Sequence, residues 1–205
     1  MVSESGRREE ILASATQLFA AKGVQSTSVR DIAEAVGMLS GSLYHHFASK
    51  DAIVDAVLEE FLTDLRIGCR SVLERESDPR EQLRDLIQVS FDVAMRHPHA
   101  TAIYQNDGAQ LTRQERFGYI GQASAEVRES WLAVIRGGVQ QGVFRRDLDA
   151  VVVYRLARDA VWSSTRWFTP SAGYPGSRFT KDCAAVFLEG CAVGPARKAS
   201  SDAST

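Results

Sequence analysis

Cysteine is scarce in this 205-residue sequence: Cys69, Cys183 and Cys191 are its only three, and none sits in a CxxC pair. That excludes a disulfide framework and fits a reducing, cytoplasmic setting. No apolar run approaches the roughly 18 residues of a membrane-spanning helix, and the opening MVSESGRREE lacks the apolar centre of a secretory signal. No membrane partner is therefore expected. Neither charge predominates, with 24 Lys+Arg against 26 Asp+Glu and a formal net charge of -2. A uniformly basic nucleic-acid binder is excluded, so any such surface must be local. There is no nucleophile elbow, phosphate loop or obvious carboxylate pair, which leaves a thioester-processing enzyme without a site. His97-Pro98-His99 lacks the clustered carboxylates or cysteines of a metal centre. Neither a metal nor a cofactor is expected.

What is present reads as helix. At 44% hydrophobic and 24% charged residues the chain is not disordered, and at this length roughly 70% of its unfolded surface is buried. Proline is missing from the first 78 residues. There, Ile11, Leu12, Ala15, Leu18 and Phe19 predict a helix over 7–22, stopped by Gly23. Thr27 or Ser28 caps a short helix over 28–36, and Gly37 ends it. SGSLYHHF predicts a third helix over 40–47, and Ser49 caps a long fourth that runs into the 70s. Pro79 opens the next helix at its first position and Pro98 breaks it. Further helices are expected over 99–110, 113–141, 149–168 and 178–193. The tail after Pro195 is small and polar and reads as disordered. The organisation is all-α: a helix-turn-helix unit over 1–48, a larger helical domain over 49–195 and a tail over 196–205.

Two short helices joined at Gly37 have helix-turn-helix spacing, and no acid occurs from Met38 to Lys50. The hydroxyl, phenol, imidazole and ammonium groups there suit phosphate oxygens and base edges. The order of residues in TSVRDIAEAVGMLSGSLYHHFASK (27–50), above all Leu43-Tyr44-His45-His46-Phe47 followed by Ser49-Lys50, resembles the DNA-binding domain of TetR-family transcriptional repressors. The resemblance implies that Ser40, Gly41, Ser42 and His45 face base edges. It places Tyr44, His46 and Lys50 on phosphates, and Ser28 and Arg30 on the backbone or groove edge. Leu43 and Phe47 should be core. It further implies a homodimer on a palindromic double-stranded operator, with half-sites about 34–36 Å apart or at a related spacing.

Over 149–168, at about 100° per residue, Arg155, Arg158, Trp162 and Arg166 fall within an arc of roughly 80°. Such a stripe is either a solvated face or a cationic surface that meets an anion, with Trp162 free to stack. DLD (147–149), VYRLARDAVWSSTRW (153–167), IYQ (103–105) and RFGYI (116–120) resemble an actinobacterial TetR-type repressor of steroid catabolism. That likeness implies a small-molecule inducer, a coenzyme A thioester of a partly degraded ring nucleus, with Arg158, Trp162 and Arg166 on the coenzyme A portion. A fatty acyl-coenzyme A or an exported drug stands as the alternative. Tyr104, Phe91, Trp131 and Phe117, with Leu86 and Tyr119, either line an acyl pocket or simply fill a core. The family dimerises through its last two helices, which here assigns Trp167, Cys183, Val186, Phe187 and Gly190 to the dimer interface; the same stripe also suits packing within one monomer.

Overall fold

In a computed structural model, which describes residues 4–191, every regular element among the described residues is helical. The N-terminal unit holds α1 (Glu4–Lys22), α2 (Val29–Ala35) and α3 (Ser40–Leu43). Ile11, Ala15 and Phe19 of α1 are buried against Ile32 and Ala33 of α2 and Leu43 of α3 in a continuous core. Gly23 and Gly37 end α1 and α2 with φ of 85° and 64°, the left-handed region in which a side chain is strained. Ser28, rather than Thr27, caps α2. Its hydroxyl accepts from the Asp31 N–H at 3.1 Å, and the Asp31 carboxylate accepts from the Ser28 N–H at 2.7 Å. Thr27 is buried instead and donates to the Gly23 carbonyl.

The third helix is shorter than expected. After Leu43 the chain tightens into three-residue turns, with His45 and His46 N–H groups donating to Ser42 and Leu43 carbonyls. The eight residues 40–47 hold too few hydrogen bonds to offset helix nucleation, so tertiary burial of Leu43 and Phe47 decides the path. Ser49 then caps α4 (Lys50–Leu73), accepting from the Ala52 N–H at 3.1 Å.

α5 (Pro79–Arg96) begins at Pro79, as read from the sequence. Pro98 both closes α5 and opens α6 (Pro98–Leu111), because a first-turn proline lacks only an N–H that has no intrahelical partner. The helix expected from 113 instead starts at Gly118, after a short 3-10 turn at Glu115–Phe117, and α7 runs Gly118–Gln140. α8 (Ala150–Ser163) tightens into a 3-10 turn at Ser164–Arg166, where Ser164 turns its hydroxyl onto the Val161 carbonyl. α9 spans Gly176–Cys191. The expected end of that helix at 193 and the 196–205 tail lie outside the described residues.

α4, α5 and α7 pack together around Phe61, Leu65, Leu86 and Trp131, and α8 and α9 cover α5. α1 rests on both α4 and α6, so the hydrophobic core runs without a break from the N-terminal unit into the larger one. No helix among the described residues is long and apolar enough to cross a membrane.

Candidate DNA-binding surface and ligand cavity

The segment read as DNA-contacting is held from behind and open in front. Leu43 and Phe47 are buried, and the Arg8 guanidinium lies 4.6 Å from the Phe47 ring centre. Tyr44 is 54% exposed, and Arg30, Gly41 and His45 are exposed beside the half-buried Ser40, Ser42 and His46. A Cβ added at Gly41 would meet nothing within 4 Å, so internal packing does not demand glycine there. Two residues have work inside the fold. The exposed Ser28 spends its hydroxyl on the α2 cap. Lys50 Nζ donates to the Val24 and Thr27 carbonyls at 2.9 and 3.1 Å, which ties the α1–α2 loop to the start of α4 and leaves one N–H over.

A cavity of about 600 Å³ opens between α6, α7 and α8. α6 contributes Tyr104, Gln105, Gly108 and Ala109, and α7 contributes Ile120, Gly121 and Ser124. Arg158, Asp159, Trp162 and, just beyond α8, Arg166 form the third wall. Four sequence-assigned residues, Tyr104, Arg158, Trp162 and Arg166, thus meet at one site. The Arg158 guanidinium lies 5.5 and 5.6 Å from the rings of Tyr154 and Trp162, and bonds Asp159 at 2.8 and 2.7 Å. Burial opposes its charge, but Asp159 and Tyr154 outweigh that and hold the guanidinium above its usual range. Among the described residues Arg166 meets only the neutral amide oxygens of Gln105 and Asn106, at 3.4 and 3.2 Å. The Trp162 indole N–H is buried and has no hydrogen-bond partner among the described residues. Ser124 donates to the Ile120 carbonyl, so the Tyr104 hydroxyl, 2.5 Å from Ser124 Oγ, is the donor of that pair.

The other candidate pocket residues are placed elsewhere. Phe91 packs against Phe179 and Phe168, with ring centres 5.0 and 5.7 Å away. Trp131 is core and faces Tyr154, and Phe117 and Leu86 are fully buried. These side chains are large enough to fill their own space, which is why they leave no cavity. The cavity forms instead where side chains are small, at Gly108, Ala109, Gly121 and Ser124. Composition hid those positions, because a helix-buried glycine carries no chemical signal of its own. Arg155 is exposed and lies outside the cavity wall. Tyr119 lines a second cavity of about 470 Å³ between α4 and α7 and donates to Asp55 Oδ1 at 3.1 Å. Burial, and then the Asp55 charge, push its hydroxyl well above the ordinary tyrosine range, so it stays a donor. Among the described residues no group of three or more metal-ligating side chains is placed to hold an ion, and His97 bonds Asp64 at 3.0 Å.

On the outer side of α8 and α9, Trp167 and Val186 are 66% and 70% exposed, beside exposed Val152 and Leu156 and half-buried Cys183 and Phe187. An apolar hollow of about 600 Å³ lies among them. Gly190 is also exposed, and its carbonyl accepts from Arg145 at 3.3 Å.

A profile for bacterial regulatory proteins of the tetR family matches residues 11–57, and one for a tetracyclin repressor-like C-terminal domain matches residues 76–191. The chain is 40% identical over 189 residues to the HTH-type transcriptional repressor KstR2 of Rhodococcus jostii (strain RHA1), covering 92% of this chain and 93% of that protein. The structure of the ketosteroid transcriptional regulator KstR2 of Mycobacterium tuberculosis superposes with a TM-score of 0.84 at 38% identity, covering 94% and 98% of the two chains. AibR in complex with isovaleryl coenzyme A and operator DNA has the same fold, with a TM-score of 0.73 at 22% identity over 88% of this chain and 97% of that one. These matches extend through both the DNA-binding unit and the cavity-bearing domain, and the relatives named are regulators rather than enzymes: the chain belongs to the TetR family of bacterial regulatory proteins and is a TetR-type transcriptional repressor.

Proposed function

We propose that this repressor binds a palindromic operator as a homodimer and leaves it when an anionic, partly apolar small molecule enters the α6–α7–α8 cavity. The ligand we assign is a coenzyme A thioester of a steroid-ring catabolite. The observation that carries the reading is the third wall of the cavity, where two arginines flank an aromatic ring. Among the described residues Arg166 has only amide oxygens for company, so its charge is available to a phosphate or carboxylate. The unpartnered Trp162 N–H supplies a donor to an acceptor on the ligand. A cavity of about 600 Å³ falls within the range of small-molecule sites. The kinship with ketosteroid regulators favours a ring nucleus for the apolar part.

On the DNA side, the exposed Tyr44, His45, Arg30 and Gly41, with the half-buried Ser40 and Ser42 of α3, form the surface offered to the major groove and its phosphates. The α8–α9 face supplies an apolar patch for the second subunit, which would set the separation of the two reading heads. Release requires the ligand to favour one head separation over the other by about 1–3 kcal/mol.

Calorimetric titration with a ring-nucleus coenzyme A thioester, beside its free acid, tests the site. Arg158→Met and Arg166→Met should each weaken the thioester at least tenfold and leave operator binding intact. Thioester affinity unchanged in both variants would move the ligand to another site.

A further inference from the structure

Of the three helices that wall the cavity, α6 reaches the DNA-binding unit by one side chain, and α7 with the turn before it reaches the start of α4, next to that unit. On α6, Asp107 stands three residues past Tyr104 and one before Gly108, both of the cavity wall. Its carboxylate accepts the Val24 N–H at 3.3 Å, in the α1–α2 loop, and lies beside Gly23. On the α7 side, Tyr119 immediately precedes the wall residues Ile120 and Gly121, and Arg116 lies four residues before Ile120 in the 3-10 turn that leads into α7. Arg116 bonds Asp51 at 3.1 Å and Asp55 at 2.7 Å, and Tyr119 donates to the other oxygen of Asp55. Asp51 and Asp55 sit in the opening turns of α4, directly after the DNA-reading segment. The two attachment points are themselves joined, because Lys50 reaches from the start of α4 to the Val24 and Thr27 carbonyls.

We infer that Asp107 on one side and the Arg116–Tyr119–Asp55 clasp on the other are positioning residues that convert a widening of the α6–α7 gap into a rotation of the whole DNA-binding unit. This rests on the ligand-released reading above. The Lys50 strap makes the unit turn as one body instead of shearing between α1 and α4. The clasp has room to act, since the second cavity, of about 470 Å³, borders Asp55, Arg116 and Tyr119. Arg166 adds to the same lever: it touches Gln105 and Asn106, the two residues before Asp107. A ligand that draws Arg166 inward therefore pulls on the segment that holds Val24.

The test fills the cavity without any inducer. A Cβ at Gly121 meets only the Thr112 methyl at 3.8 Å, so Gly121→Leu wedges the gap from the α7 side. Affinity for a duplex from upstream of the protein's own gene is read by anisotropy in a double-mutant cycle. The wedge should weaken binding at least about fivefold in the wild-type background. In Arg116→Met, in Asp55→Asn and in Asp107→Asn it should weaken binding less than twofold, and Arg116→Lys should restore most of the effect. Thermal unfolding selects those variants that fold. A wedge that acts equally with and without the clasp overturns the proposal, as does a wedge in the wild-type background that leaves operator affinity unchanged. Hydrogen exchange at residues 24–27 and 50–55 provides a readout that needs no duplex: the wedge should raise it only where the clasp and Asp107 are intact, and equal exchange in all backgrounds overturns the proposal. Failure of the coenzyme A thioester to bind would sink the ligand assignment alone, because the cycle uses no ligand.

Discussion

Asp64 on α4 accepts from Arg96 at 2.7 Å and from His97 at 3.0 Å, and so pins the α5–α6 junction to the long helix. The bond from His97, and then Arg96, hold its carboxyl below the ordinary 3.8. A carboxyl with a depressed folded value stabilises the protein above its unfolded value, and the contribution disappears as pH falls through the folded one. Asp64→Asn should therefore cost less than about 1 kcal/mol near neutrality, the pair being partly exposed, and flatten the acid limb of stability below about pH 4. Denaturant midpoints measured from pH 3 to pH 7 check it; an unchanged acid limb contradicts it. Gly138 makes a sharper case. Alanine in a helix normally gains about 1 kcal/mol over glycine, but a Cβ here would lie 2.2 Å from Cδ2 of the buried Phe144. Gly138→Ala should destabilise by about 1–3 kcal/mol, seen as a lower urea midpoint. Both positions show what residue type alone hides. Arg158, Trp162 and Arg166 announce a cationic, aromatic surface by their chemistry, whereas Gly108 and Gly121 shape the cavity by having none, and only packing reveals them.

Helices were legible where periodicity ran long and unclear where a few residues competed. α4 and α5 follow directly from their apolar stripes, from the Ser49 cap and from Pro79 at the first position of α5. α3 ended early because burial of Leu43 and Phe47 overrides the weak helical preference of a single turn. α2 is short enough to depend on its cap: Ser28→Ala should cost about 1 kcal/mol and raise hydrogen exchange in 29–35 more than elsewhere. The outward stripe of α9 was visible in sequence, but whether it met a subunit or its own chain was not, because periodicity does not say which side of a helix faces solvent. With Val186 70% exposed, Val186→Glu disturbs no packing within the chain. It should leave the helix content unchanged and convert the proposed dimer to monomer in light scattering; a dimer that persists would place the interface elsewhere.

The molecule as a whole joins a reading surface to a cavity through one unbroken core and two side-chain attachments, Asp107–Val24 and Arg116–Asp55. Its near-zero net charge sets no uniform long-range pull toward DNA, so if the proposed surface around Tyr44 carries the phosphate contacts, operator affinity should fall steeply with salt. Under the proposed function, cavity and surface exclude one another energetically when the ligand is a thioester. Anisotropy of a labelled duplex from upstream of the gene, titrated with a ring-nucleus coenzyme A thioester and in parallel with its free acid, measures this most directly. Release by the thioester alone is expected, with operator affinity falling some 5–150-fold. Release by both compounds alike, or by neither from a duplex that is bound, would contradict it.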